Sequence, residues 1–304
     1  MDDSQATAGH TAPRVSGIFI YPIKGARGLE LERAQLDELG FRHDRRWMVV
    51  DENGGFVSQR SDPRLALLRP AISGDDIVVD APGLPPLTLP LRPPGHGASP
   101  VRIWNDDVAA ADAGDDAARW ISRWLGRPAR IVGFPRESVR RVDPKYARGE
   151  GDRVAFVDGY PCLLISQAAL DELNRRLARP LPMERFRPNI VVAGTEPHAE
   201  DGWRRIRVGD VAFDVVKPCA RCVVTTVDQR SAIPGDEPLR TLATYRKVGG
   251  KVMFGQNLIH EGPGTIRLGD QVQVKEKVKV EGDVEEKAKV QVEDRRAVME
   301  EPEA

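Results

Sequence analysis

Lys-Pro-Cys-Ala-Arg-Cys-Val-Val-Thr-Thr-Val-Asp-Gln-Arg, residues 217–230, holds Cys219 and Cys222 two residues apart and runs straight into β-branched residues. A thioredoxin-type cysteine pair opens a helix, whose N-terminus lowers the thiol pKa. Val223, Val224, Thr225, Thr226 and Val227 favour extended chain instead, so a strand is predicted over 222–228 and a redox disulfide loses ground. A structural zinc site needs four ligands. The third cysteine, Cys162, stands far back with no close pair beside it, which leaves zinc only with scattered histidines. What survives is one thiolate held on a strand beside Arg221, whose charge favours the ionised form, with the second cysteine filling space.

The flanking chain continues the β pattern. Strands are predicted at 14–23, 46–50 and 56–59, the last two around Asp51-Glu52-Asn53-Gly54-Gly55, where Asn-Gly suits a hairpin reversal. Extended runs at 76–79, 86–91 and 101–105 are broken by 82–100, whose seven prolines belong in loops or edges. Ala118, Ile121, Trp124 and Leu125 repeat at helical spacing over 115–125, and Gly126 with Pro128 stops that helix. A strand at 129–133 leads into a charged loop at 135–153, which reads either as solvated surface or as a mobile cover over an anion. Ser166 caps a helix with Leu170, Leu173 and Leu177 on one face, ended before Pro180. Strands at 189–193, 204–208, 211–216, 254–260, 265–268 and 271–274, with a short helix near 238–246, complete a chain that is mainly β with some helices (α+β). The pattern divides into β-rich domains at 13–128 and 129–277 and a charged tail at 278–304, on which no fold is forced.

The chain of 304 residues has room for two ordinary domains, and its 45 basic against 46 acidic groups leave no global footprint for nucleic acid. Three cysteines fit a reducing compartment rather than a disulfide framework. The polar N-terminus lacks a signal-peptide core, and no apolar run is long enough to span a bilayer, so a cytoplasmic protein without a membrane partner is predicted.

Three further stretches stand with the cysteines: Tyr21-Pro22-Ile23-Lys24-Gly25, Asp44-Arg45-Arg46-Trp47-Met48-Val49-Val50 and Arg185-Phe186-Arg187-Pro188-Asn189-Ile190. In these residues and their order the chain resembles the MOSC-domain family, most nearly the branch of mitochondrial amidoxime-reducing components and their bacterial relatives, from about residue 13 to about 277. The resemblance implies an N-terminal β-barrel-like domain followed by a MOSC β-barrel domain. It also implies a molybdenum cofactor, in which the metal rides on a pterin dithiolene (molybdopterin) bearing a phosphate. The metal ligand and catalytic residue would be Cys222, a soft donor suited to the metal. Lys24, Arg45, Arg187 and Asn189 would hold the phosphate and pterin, and Arg221 would add positive potential. Gly25 and Ala220 stand where the mitochondrial proteins carry serines, so two side-chain hydrogen bonds would come from backbone N–H groups or be absent. Tyr160, in the loop Gly159-Tyr160-Pro161, would approach the cofactor, and Gln256 or Asn257 would brace the site.

Plainer readings stand beside each of these. The cysteines could be buried small hydrophobes, Lys24 an exposed strand end, Arg45 the partner of Asp44, Arg187 an ion pair between domains, and Tyr160 a packed tyrosine with its hydroxyl satisfied. Relatives often place an aromatic where Arg46 stands, which keeps both Arg45 and Arg46 as candidates. His10, His43, His96, His198 and His260 show no ligand spacing, and none is assigned a catalytic role. The implied activity is reduction of small N-hydroxylated substrates, namely amidoximes, hydroxylamines and N-hydroxylated bases. No Gly-x-Gly-x-x-Gly follows a strand, and the cysteines are too few for a fused ferredoxin, so a separate electron-transfer protein or reductase is expected. The rival from another class is a molybdenum cofactor carrier or a sulfur-transfer module with a cysteine persulfide. The family's association with pyridoxal phosphate binding is attached to no residue of this chain.

Overall fold

The computed structural model describes residues 12–95 and 99–278. The tail beyond Val278, and with it His10 and His96, lies outside the described residues.

A barrel forms the larger unit. Arg14–Ile20 pairs antiparallel with Ile190–Ala193, which runs parallel to Cys162–Ser166. The order continues through Lys251–His260, Val211–Arg221 and Trp203–Val208 to Val272–Lys277, all antiparallel. The ring closes where the Val15 N–H donates to the Asp270 carbonyl at 2.9 Å and the Val272 N–H to that of Pro13 at 2.7 Å. Alternation along the strands turns Val15, Leu164, Val192, Ile206, Phe213 and Leu258 into one buried core. Between the two parallel strands runs the helix Gln167–Arg176, capped as its sequence predicts: Ser166 Oγ accepts from the Ala169 N–H at 3.3 Å.

A second β unit is built from residues between the first strand of the barrel and the rest. Trp47–Asp51, Ala129–Gly133, Asp106–Asp112 and Ser99–Ile103 make a four-stranded sheet, and Arg69–Ser73, Asp76–Asp80 and Leu87–Pro90 a three-stranded one. The helix Asp115–Leu125 ends at the left-handed Gly126 and packs Trp120, Ile121 and Leu125 against Trp47, Leu65, Ile77 and Val79. The fold is therefore mainly β, with the barrel-like N-terminal domain and the second barrel that the resemblance implies.

Some elements depart from expectation. The strand expected at 222–228 is absent. The preceding strand runs on from Val211 to Arg221, and the chain then turns at Cys222 into a single 3-10 turn, Val223–Thr226. Thr225 Oγ1 donates to the Cys222 carbonyl at 3.0 Å, Thr226 Oγ1 to that of Val223 at 2.8 Å, and Arg185 Nη1 to that of Thr226 at 2.9 Å. These bonds outweigh a β preference that is weak for an isolated run. The strand at 56–59 shrinks to one bridge between Val50 and Phe56, because Ser58 to Asp62 close a hydrogen-bonded turn. The helix near 238–246 is the single turn Leu239–Leu242. Strands at Arg33–Asp37, Arg69–Ser73, Asp106–Asp112 and Cys162–Ser166 add to those expected.

Candidate functional site

Two of the family-like stretches lie side by side. The Arg45 N–H donates to the Tyr21 carbonyl at 2.7 Å, that of Trp47 to Pro22 at 3.0 Å, and that of Lys24 to Trp47 at 2.7 Å. Asp44 Oδ1 accepts from the Tyr21 N–H at 2.7 Å, so its carboxylate ties the two segments again. Arg45 takes a left-handed conformation (φ 48°), as does Arg187 (φ 55°) from the third stretch. Such angles are uncommon for side chains of this size, and these two bring both guanidinium groups over the same ring. Their carbon centres lie 4.2 Å and 4.1 Å from the Tyr21 ring centroid.

Tyr21 is buried, with its hydroxyl donating to the Pro188 carbonyl at 3.0 Å, and burial pushes its phenol well above the usual range. The remaining polar contacts fix the arginines. Arg45 Nη1 donates to Asp44 Oδ2 at 2.6 Å and to Asn189 Oδ1 at 3.2 Å, and its Nη2 to the Arg187 carbonyl at 3.2 Å. Arg187 Nη1 donates to the Ala26 carbonyl at 2.6 Å. Burial and the adjacent Arg45 charge push the Arg187 pKa down to about 10, which still leaves it cationic at neutral pH. Burial also opposes the charge of Arg45, but Asp44 and Tyr21 outweigh it and raise its pKa.

Next to these arginines opens a cleft of about 360 Å³. Eight of the residues singled out in the sequence line it: Lys24, Gly25, Arg45, Tyr160, Arg187, Asn189, Arg221 and Cys222. They come from four distant stretches and the 159–161 loop. Arg46 faces elsewhere, donating to Asp37 Oδ1 at 2.7 Å, so of that pair Arg45 reaches the cleft. Lys24 is 7 % exposed rather than an open strand end, and its Nζ donates to Asp158 Oδ1 at 2.5 Å. Burial lowers its pKa and Asp158 partly restores it. Asn189 is a brace: its Oδ1 accepts from Arg45 and from the Leu163 N–H at 3.2 Å, and its Nδ2 donates to the Phe19 carbonyl at 3.1 Å. Asn257 lines the cleft, whereas Gln256 is buried against Asp201. Tyr160 stacks edge-on against Tyr146.

Residues that sequence reading passed over complete the cleft. Arg60 Nη2 lies 3.1 Å from Cys222 Sγ, and its guanidinium stacks 4.7 Å from the Trp104 ring centroid. Gln59 Nε2 donates to the Gly25 carbonyl at 2.6 Å and exchanges hydrogen bonds with Gln229, joining the two β units beneath the cleft. Arg221 Nη1 lies 2.8 Å from Cys219 Sγ, so each cysteine of the pair has its own arginine. Asp158, Arg185 and Lys217 also line the walls. Only the order of the family stretches pointed to the site, and Arg60 and Asp158 lie outside them.

None of the residues of the charged loop at 135–153 lines the cleft, although its Tyr146 packs against Tyr160 and Lys217, which do. Arg140 binds the loop to the chain below, donating to the carbonyls of Ala155, Val157 and Asp158 and to Asp106 Oδ2.

Seven basic side chains and one carboxylate line the cleft, a balance that suits an anionic occupant. No cluster of three or more histidine, cysteine or carboxylate groups that could hold a metal alone occurs among the described residues. A metal at Cys222 would need its other ligands from elsewhere, as on a dithiolene. Among the described residues no helix is long and apolar enough to cross a membrane.

Comparison with known proteins identifies the family. Residues 12–128 match the MOSC N-terminal beta barrel domain and residues 151–273 the MOSC domain. The mitochondrial amidoxime-reducing component 1 of Mus musculus is 38 % identical over 278 residues, covering 85 % of this chain and 81 % of that protein. Its Homo sapiens counterpart is 34 % identical over 281 residues, covering 85 % and 82 %. The molybdenum cofactor sulfurase of Danio rerio is 31 % identical over 268 residues, covering 81 % of this chain but 32 % of that protein. With both domains matched in order and close relatives aligned along most of their length, the chain belongs to the MOSC-domain family.

Proposed function

We propose that the protein is a molybdenum-cofactor-dependent reductase of N-hydroxylated compounds, supplied with electrons by a separate donor protein. The observation that carries this reading is the pairing, in one cleft, of the Cys222 thiol with seven basic side chains. A soft ligand and a cationic cradle are what a metal on a phosphorylated dithiolene requires. Cys222 would give the metal its protein ligand, and Lys24, Arg45, Arg187 and Arg221 would surround the phosphate and pterin. When bound, the cofactor supplies two-electron, oxygen-accepting chemistry. Overall, an N-hydroxyl group, two electrons and two protons yield the N–H compound and water.

The chain's own part is binding and electrostatics. Tyr21 and Asn189 fix two arginines before any ligand arrives, which removes much of the ordering cost of binding. Arg60 holds a positive charge 3.1 Å from the Cys222 sulfur. The relatives' names carry the amidoxime substrate class.

Metal analysis followed by a reductant-driven assay tests the proposal. Stoichiometric molybdenum with turnover of benzamidoxime supports it. Bound cofactor without reductive turnover, or sulfane sulfur on a cysteine without molybdenum, replaces it with the carrier or sulfur-transfer reading.

A further inference from the structure

Asp158 is the one carboxylate among the residues lining the cleft, set against seven cations. Its two oxygens have different surroundings. Oδ1 accepts from Lys24 Nζ at 2.5 Å and from Trp104 Nε1 at 3.3 Å. Oδ2 takes no hydrogen bond among the described residues, and the side chain is 68 % exposed. The backbone behind it is fixed by a buried cation: Arg140, 5 % exposed, donates to the carbonyls of Val157 and Asp158 at 2.5 Å and 3.0 Å. The carboxylate is thus held at one oxygen and along its backbone, with the other oxygen left without a hydrogen bond among the described residues in a side chain that borders the cleft. Loss of hydration against the cleft wall pushes its pKa up, but Lys24, Arg60 and Arg45 outweigh that and hold it below the usual carboxylate range. At neutral pH it is an acceptor without a proton to give.

We infer that Asp158 is a specificity-determining residue, whose free oxygen accepts an N–H of the substrate and so selects N-hydroxylated compounds with an N–H group beside the hydroxylated nitrogen. This rests on the proposed reductase function. Amidoximes and N-hydroxyguanidines carry such a group, on the carbon that bears the hydroxylated nitrogen. Simple oximes do not. A cleft whose other charged side chains are all donors offers an oxime's lone pairs many partners but an amino group one charged partner, and a site that pairs a substrate N–H disfavours the analogue lacking it. Trp104, 38 % exposed with its indole on Asp158 and its face against Arg60, adds a flat apolar surface at the same corner.

The test compares benzamidoxime with benzaldoxime, in which a hydrogen replaces the amino group. Calorimetric titration of each into the cofactor-loaded protein without reductant reads binding with no turnover. Wild type should bind benzamidoxime about three- to tenfold more tightly, the range of one solvent-exposed hydrogen bond. Asp158→Ala should abolish that preference, raising the benzamidoxime KM in the reductant-driven assay with kcat little changed. Asp158→Asn keeps the shape and one acceptor oxygen, and should retain part of the preference. Equal weakening of both oximes in Asp158→Ala, or an unchanged preference, overturns the inference. Wild type that turns benzamidoxime over yet binds both oximes equally overturns it alone, whereas wild type that neither binds nor reduces benzamidoxime overturns the reductase function as well.

Discussion

Arg60 and Cys222 meet across the two β units, with Nη2 3.1 Å from Sγ although they stand 162 positions apart in sequence. The thiol assigned to the metal therefore stands in a field set by the other unit. Cys219 is served separately by Arg221.

This division predicts unequal cysteine variants. Cys222→Ala should lose molybdenum and turnover while its melting temperature stays near wild type, since no disulfide is broken and the residue sits at a half-buried turn. Cys219→Ala should do much less. Metal content by mass spectrometry decides, and complete loss from both variants would point to a shared two-thiol site.

Arg187→Ala should raise the cofactor dissociation constant about ten- to a hundredfold, the loss expected for one charge-assisted hydrogen bond of about 1.5–3 kcal/mol. Arg187→Lys should recover only part, because an ammonium cannot reproduce the planar fork. Molybdenum remaining after extended dialysis is the measurement. Full occupancy with a steeply raised substrate KM would place this arginine on the substrate instead.

The same residue predicts a pH dependence. An anion favours the charged guanidinium, so its binding is fully supported while the free protein's Arg187 is protonated and weakens as pH rises through about 10. Phosphate-induced thermal stabilisation of cofactor-free protein should fall between pH 9 and 11. Arg187→Gln should show a smaller stabilisation with a shallower fall, the remainder coming from Lys24, whose pKa burial lowers.

Asn189→Ala removes an amide that satisfies the Leu163 N–H, the Phe19 carbonyl and an Arg45 nitrogen. Leaving one buried group without a partner costs about 1–3 kcal/mol. Denaturant unfolding should show a loss of at least that size. A variant as stable as wild type would mean that water replaces the amide.

The electron route has its own test. Purified protein should contain no stoichiometric iron and show no NADH-driven activity until reductase components are added. Cluster absorbance, or robust activity with NADH alone, would assign the electron route to the chain itself.

Much of the fold was legible because its punctuation is chemical. Gly126 and Pro128 end the helix Asp115–Leu125 where the sequence stops it, and the strand Ala129–Gly133 follows without slippage. Val223 to Val227 misled because β preference measures fit to a neighbouring strand, and no strand lies beside them; Arg185 and two threonine hydroxyls close a turn instead. The cleft was visible only as motif order, since Lys24, Arg45, Arg187 and Cys222 share no local spacing. Arg60 and Asp158 were invisible for a related reason. Their importance lies in what faces them, Cys222 and Lys24, and facing is a property of the closed fold.

Barrel closure also constrains how the protein can be made. Arg14–Ile20 must wait for Ile190–Ala193 on one side and for the segment around Asp270 on the other. During synthesis the first strand therefore leaves the ribosome long before these two neighbours exist, with only Leu29–Glu30 at hand to pair Phe19 and Ile20, and carries the apolar Val15, Ile18 and Ile20. The intervening unit, whose strands pair among themselves, can mature in that interval. Completion falls to the last strands translated, so the order of emergence makes this a late-closing barrel, in which a premature stop before Val272 leaves an open edge at both ends of the ring.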